Sequence, residues 1–79
     1  MKIYIKNLAG RSIPIIVNGS DKISKGKQVY QAASKSNNAD PQWKFDGIVL
    51  NNNKTFNDYR IEEDDNITSN DRSEGGKNK

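Results

Sequence analysis

The sequence contains no cysteine and no histidine. Without cysteine, the chain has no disulfide, no thiolate ligand for a metal and no thiol nucleophile. Without histidine, it lacks the usual general base and metal ligand near neutral pH. We therefore expect a protein that is not an enzyme, with no catalytic residues, no bound metal and no cofactor.

Long apolar runs are also lacking. No stretch approaches the roughly 20 apolar residues that a membrane-spanning helix needs, and the first residues lack the pattern of a signal peptide. We expect no membrane partner and a location in the cytoplasm, the nucleus or both. The length of 79 residues predicts one small domain with a thin stability margin. We expect it to be a monomer.

The excess of positive charge is small. Lysine and arginine number 13 against 10 acidic residues, which gives a net charge of +3 that is scattered along the chain. Nucleic-acid binders more often cluster basic residues on one face with stacking aromatics between them, so nucleic acid is not the expected partner. The hydrophobic fraction of 32% is low, which predicts disorder near the carboxyl-terminal end.

Alternating apolar residues predict two strands near the amino terminus. Over residues 1–6 and again over residues 11–17, apolar side chains recur at every second position. The short connection predicts an antiparallel hairpin in which Gly10 takes a positive φ. Pro14 cannot donate a hydrogen bond to a neighbouring strand, so the second strand is expected at a sheet edge. The predicted inward side chains are Met1, Ile3, Ile5, Ile13, Ile15 and Val17.

A helix is predicted from Ile23 to about Ser34. Ser20 or Asp21 is expected to cap its amino end. Alternatively, Gly26 delays the start of the helix by a turn and Ser24 is the cap, because glycine in a helix costs roughly 1 kcal/mol relative to alanine. The side chains expected on or beside one buried face are Ile23, Gly26, Val29, Tyr30 and Ala33.

Turn residues organise the remainder of the chain. Asp46-Gly47 between two apolar runs predicts a two-residue hairpin turn. Thr55, with Asp58 three residues later, predicts a single helical turn, and residues 66 to about 68 predict a last short strand around Ile67. The sum is an α+β fold in which one helix packs on a small mixed sheet.

This order of elements, with particular residues, resembles the ubiquitin family without gaps from residue 1 to residue 76. The resemblance implies a ubiquitin-like β-grasp fold over residues 1–72 and a flexible tail with Gly-Gly over residues 73–79. The matching residues are Met1, Ile3, Lys6, Leu8, Gly10, Ser20, Asp21, Ile23, Lys27, Gln31, Phe45, Gly47, Leu50, Thr55, Asp58, Tyr59, Ile61, Arg72, Gly75 and Gly76.

The resemblance also identifies candidate surfaces for partner proteins. Ubiquitin binds most of its receptors through four residues that form an apolar patch, and here these positions are Leu8, Lys44, Thr68 and Asn70. A lysine at the position of a buried interface isoleucine must be desolvated on docking, so ordinary ubiquitin receptors are expected to bind poorly. Tyr4 is a further candidate contact on the amino-terminal face, although we favour an ordinary strand aromatic there.

The second apolar patch of the family is lost at Ser36, Asp71 and Ser73. The positions of the two commonest chain linkages are Ile48 and Glu63, so polymers of the usual types are not expected. Lys6 and Lys27 remain as candidate acceptor lysines.

The tail resembles that of a ubiquitin-like precursor. Such precursors are cut by a protease after Gly-Gly, which corresponds to Gly75 and Gly76, and activating and conjugating enzymes then act on the glycine carboxylate. Arg72 matches the arginine that activating enzymes recognise. However, Ser73 and Glu74 depart from the family tail. Two interpretations therefore stay open: a conjugated protein tag, or a non-conjugated protein-interaction module.

A basic RNA- or ribosome-associated β-grasp domain is the alternative from another functional class. It predicts salt-dependent nucleic-acid binding that is lost when Lys2, Lys6 and Lys44 are neutralised, provided that they share one sheet face. The polar Ser69, at a position where ubiquitin buries leucine, predicts a less stable domain.

Overall fold

The structure is a computed structural model that describes residues 1–35 and 38–70. The elements follow the predicted order, and the last strand extends two residues beyond the predicted end. Their bounds are β1 Lys2–Lys6, β2 Ser12–Ile16, α1 Ile23–Ser34, β3 Gln42–Phe45, β4 Ile48–Val49, a 3-10 turn Asn57–Tyr59, and β5 Asn66–Asn70.

The strands form one five-stranded mixed sheet in the order β2-β1-β5-β3-β4. Strand β1 pairs with β2 in an antiparallel hairpin and with β5 in parallel, and β3 is antiparallel to both β5 and β4. Pro14 therefore lies on an edge strand, as predicted, where its missing N–H costs no ladder hydrogen bond. This architecture confirms the predicted α+β class.

The core lies between the inner face of the sheet and helix α1. The rings of Tyr30 and Trp43 meet edge to face there, with centroids 5.9 Å apart and an interplanar angle of 76°. Such pairs stabilise a core beyond the area that they bury. The buried apolar residues are Ile3, Ile5, Ile15, Val17, Ile23, Tyr30, Trp43, Leu50, Phe56, Ile61 and Ile67.

The predicted side-chain caps of helix α1 are wrong. Its N-cap residue is Lys22, which makes no side-chain capping bond, so neither Ser20 nor Asp21 nor Ser24 serves as the cap. The Asp21 carboxylate instead accepts a hydrogen bond from the backbone N–H of Asn18 at 2.9 Å, which holds the preceding turn.

Backbone carbonyls of a distant loop satisfy the start of the helix. The N–H of Ile23 donates to the carbonyl of Lys54 at 2.8 Å, and that of Ser24 donates to the carbonyl of Asn52 at 3.3 Å. The first N–H groups of a helix have no partner within it. Here the tertiary fold supplies those partners and a side-chain cap is not needed.

The buried face of α1 differs from the prediction at two positions. Ile23, Gly26 and Tyr30 are buried as expected, whereas Ala33 is exposed. The last turn of the helix borders a depression beside β2, so the methyl group of Ala33 stays in contact with solvent. Lys27 completes the buried stripe instead.

Gly26 allows the helix to approach the core closely. A Cβ atom at this position would lie 2.5 Å from Cζ of Phe56 and 3.3 Å from Cζ3 of Trp43. The first distance is far below van der Waals contact. The glycine that weakens the helix locally therefore permits the packing of both aromatic rings.

The predicted turns are confirmed. Asp46 and Gly47 both have positive φ, 57° and 78°, as a tight two-residue hairpin turn needs. The N–H of Thr55 donates to the Asp58 carboxylate at 2.9 Å, and the N–H of Asp58 donates to the Thr55 hydroxyl at 3.1 Å. The first of these bonds is the main reason that the pKa of Asp58 is lowered.

Replacing Gly26 by Ala should destabilise the protein by about 1–3 kcal/mol, because overpacking against Phe56 outweighs the gain in helix propensity. The measurement is the free energy of unfolding in urea. The control is Gln28→Ala on the exposed side of the same helix, with an expected change within about 0.5 kcal/mol. A Gly26→Ala variant as stable as the parent would contradict the close approach.

Candidate functional site

The outer face of the sheet carries the residues predicted to contact partners. Lys6 on β1 pairs with Thr68 on β5, and Thr68 pairs in turn with Lys44 on β3. Directly paired residues point to the same side of a sheet, and neighbouring strands lie about 4.8 Å apart. Lys6 and Lys44 therefore flank Thr68 in one row, with their Cα atoms about 10 Å apart.

The four positions of the predicted partner-binding patch come together. With Gln42, they line a shallow depression of about 170 Å³ at the edge of this row. We call it the Leu8 depression, after its apolar residue, which is 56% exposed. Its lining residues are Leu8, Gln42, Lys44, Thr68 and Asn70.

Tyr4 lies on the same face but does not line the depression. Its ring is half-buried, and Nζ of Lys2 lies 5.7 Å from the ring centroid. A cation over an aromatic face is attracted by the ring electrons. Because the ammonium covers part of the ring, less of Tyr4 is offered to a partner than alternation alone indicates.

The outer face is basic. None of the five described strands contains an aspartate or glutamate. Lys2, Lys6 and Lys44 are exposed and share this face. Among residues 1–35 and 38–70, the only ion pair joins Lys27 to Asp40, so these three lysines have no ion-pair partner there.

The two candidate acceptor lysines have opposite environments. Lys6 is exposed, whereas Lys27 is 4% exposed. Nζ of Lys27 donates to Oδ1 of Asp40 at 2.9 Å and lies 6.0 Å from the centroid of the Trp43 ring. An enzyme that modified Lys27 would first have to open this ion pair, so Lys6 is the more accessible of the two.

Sequence reasoning missed the Lys27–Asp40 pair. The pKa of Asp40 is lowered, chiefly by the hydrogen bond from Lys27 and next by one from Nδ2 of Asn52, at 3.1 Å. A signal was present, because Lys27 follows Ile23 by four residues and precedes Tyr30 by three. That spacing places it on the buried stripe of the helix.

Ser69 has a hydrogen-bond partner that the sequence did not indicate. Its hydroxyl is fully buried and accepts a hydrogen bond from Nε1 of Trp43 at 3.1 Å. A buried indole N–H usually requires such a partner. The polar side chain therefore satisfies the largest residue of the core, and the predicted loss of stability stays untested.

The predicted tail site lies outside the described residues. This applies to Arg72, Gly75 and Gly76, and also to Ser36, Asp71 and Ser73 of the second patch. Within residues 1–35 and 38–70, no group of three or more acidic residues is placed to hold a metal ion. None of the helices described there is long and apolar enough to cross a membrane.

Comparison with known families agrees with the fold. Residues 3–71 match the model of the Ubiquitin family. The chain belongs to the ubiquitin family. Its five-stranded mixed sheet with one helix is the ubiquitin β-grasp fold, and the resemblance noted in the sequence is confirmed. A search of curated proteins found no match.

Membership decides the broad class of function. Ubiquitin-family proteins are non-catalytic, as expected from the composition, and their domains bind proteins.

Replacing Ser69 by Ala should lower the free energy of unfolding by about 1–3 kcal/mol, because it leaves the buried indole N–H of Trp43 without this acceptor. Urea unfolding followed by tryptophan fluorescence measures the change. Thr68→Ala, at the adjacent exposed position, serves as the control with an expected change within about 0.5 kcal/mol. Equal effects of the two substitutions would exclude a stabilising role for the bond.

Replacing Asp40 by Asn should lower stability near pH 7 by up to about 1 kcal/mol, since exposure of Asp40 screens its pair with Lys27. The lowered pKa means that the carboxylate stabilises the fold at neutral pH. This contribution is lost as the pH falls below the ordinary value of 3.8 and through the folded-state pKa.

Urea unfolding of the parent and variant at about pH 7 and about pH 2 measures this loss. Asp46→Asn in the hairpin turn is the control, because asparagine tolerates positive φ. A stability difference between Asp40→Asn and its parent that persists unchanged in acid would argue against the ion pair as its source.

Proposed function

We propose that this ubiquitin-family domain acts as a protein-interaction module or protein tag. One observation carries the proposal: the four patch positions are exposed or partly exposed and line a single depression on the outer sheet face. Partner proteins are the expected ligands, and the domain over residues 1–72 is the part that they contact. We expect it to work as a monomer in the cytoplasm or nucleus.

The chemistry of the patch changes which partners fit. Lys44 presents an ammonium where an apolar receptor surface would have to desolvate it, and such desolvation is costly when no partner charge compensates. Thr68 and Asn70, both on the neighbouring strand β5, add polar groups beside Lys44. Discrimination between partners arises from unfavourable contacts as well as from favourable ones, so this domain selects partners other than ordinary ubiquitin receptors.

The finer proposal is that the domain is a conjugated tag. Gly75 and Gly76 would give the tail a segment without Cβ atoms, as passage through a narrow enzyme channel requires. A protease would cut after Gly76, and activating and conjugating enzymes would then join its carboxylate to a lysine. Arg72 would contact the activating enzyme. If copies of the domain were joined to one another, Lys6 would be the accessible acceptor lysine and Lys27 would be protected by its ion pair.

A second candidate function is binding of RNA or the ribosome. It is supported by the shared outward placement of Lys2, Lys6 and Lys44. Phosphate groups neutralised by lysines release counterions, so such binding weakens steeply with salt.

Expression of an amino-terminally tagged chain in its native cells, beside a Gly76→Ala version, tests the conjugated tag. We expect loss of residues 77–79 and higher-mass adducts for the parent only, because the enzyme channel would exclude the added methyl group. Mass spectrometry of the carboxyl terminus and of the adducts is the measurement.

The matched control is Asn78→Ala, which lies beyond the proposed cut and should leave both processing and adducts unchanged. An intact parent tail without adducts would contradict conjugation and leave the non-covalent interaction module.

A further inference from the structure

The positive charge of the outer face is concentrated on one row. Lys6 and Lys44 flank Thr68 across three adjacent strands. Neither ammonium has an ion-pair partner among residues 1–35 and 38–70. Two exposed like charges about 10 Å apart, with no acidic residue in the strands between them, attract an anionic ligand of matching spacing.

An apolar contact lies beside this row. The Leu8 depression shares Lys44 and Thr68 with it, and the side chains of Leu8 and Gln42 are exposed there. The depression, of about 170 Å³, has room for a single aliphatic side chain. The face thus combines a small apolar contact with cations at one side, which differs from the centre of a typical interface, where charged residues are depleted.

We propose that this face binds an acidic segment of a partner protein. Two carboxylates of the segment lie on Lys6 and Lys44, and one aliphatic side chain enters the Leu8 depression. The inference rests on the proposed function, that the domain binds proteins, and it specifies the chemistry of the partner.

Charge complementarity disfavours two other occupants. A second copy of the chain that docked through the same face would bring the same lysines against it, and like charges at an interface are repulsive. The chain's own residues 71–79 contain three basic and two acidic residues. Because Arg72 lies between the two acidic residues of that segment, Asp71 and Glu74, it is not an acidic run of the kind that the row fits.

The acidic turn at the other end of the face disfavours a nucleic acid. Residues 62–65 are Glu-Glu-Asp-Asp. They are held against β1, because Oε1 of Glu63 accepts the N–H of Lys2 at 3.1 Å and the N–H of Asp64 donates to the carbonyl of Lys2 at 2.7 Å. A phosphate chain running along β1 would meet this negative turn, whereas a short acidic segment across Lys6 and Lys44 avoids it.

Aromatic stacking is also limited on this face. Tyr4 is the only aromatic residue at an outward position of the described strands, and it is half-buried with Lys2 over its ring. Proteins that bind single-stranded nucleic acid usually stack bases on exposed aromatic rings. An acidic peptide needs no such stacking.

Titration of the nitrogen-15-labelled full chain with synthetic ligands tests the proposal. The probes are a peptide in which one leucine is flanked by aspartates and glutamates, the same peptide with asparagines and glutamines, and a short uridine RNA. We expect the acidic peptide to shift the amide signals of Leu8, Lys44 and Thr68. Its binding should weaken several-fold as sodium chloride rises from about 50 to about 300 mM.

Charge reversal separates this face from a general effect of net charge. Lys44→Glu and, independently, Lys6→Glu should each weaken binding of the acidic peptide at least about tenfold, because the new carboxylate repels the ligand. Lys25→Glu changes the net charge equally on the exposed side of helix α1 and should weaken it less than about twofold. Amide signal dispersion verifies that each variant is folded.

Four outcomes would overturn the proposal: no binding of the acidic peptide, equal binding of the neutral peptide, tighter binding of the RNA, or an equal loss on Lys25→Glu. The titration requires neither processing nor Gly76. If the acidic peptide does not bind but Gly76-dependent adducts are present in cells, only the proposal of an acidic partner segment is rejected. If the acidic peptide binds but no adducts form in cells, only the proposal of a conjugated tag is rejected.

Discussion

Burial of Trp43 between the helix and the sheet is the constraint on which the other contacts depend. Its indole N–H donates to Ser69, and its ring packs edge to face with that of Tyr30 and lies near the ammonium of Lys27. A Cβ atom at Gly26 would also lie 3.3 Å from Cζ3 of this ring, which is a tight contact. Four residues that are far apart in the sequence or differ in chemistry therefore contact or make room for this one side chain. Ser69 supplies a hydrogen-bond acceptor, Tyr30 an aromatic contact and Lys27 a cation. Gly26 leaves space because it has no Cβ atom.

The same constraint organises the surface. Because Trp43 points into the core, alternation along β3 turns Lys44 outward, and the pairing with β5 sets it beside Thr68. A register slip of one residue would bury the lysine and expose the tryptophan. The spacing between the backbone positions of Lys44 and Lys6 is thus a consequence of core packing.

Local patterns predicted most of the architecture. Alternation placed the strands, Pro14 marked an edge, and Asp46-Gly47 located the hairpin. Two of the errors, at the helix start and at Lys27, have a common physical cause, which is that the partners are distant in sequence. Carbonyl groups of residues 52–54 replace a side-chain cap at the helix start, and Lys27 is buried against a loop residue that no local pattern connects to it. The patch positions came from family resemblance, and periodicity alone did not single them out.

The two edges of the sheet end in ways that discourage the addition of further strands. On one side, Pro14 removes a donor from β2, and on the other, β4 is only two residues long. An incoming chain would gain few backbone hydrogen bonds at either edge, although Ile48 and Val49 remain exposed on β4. Natural sheets use both devices against aggregation. Both edges thereby disfavour growth of the sheet into a fibre.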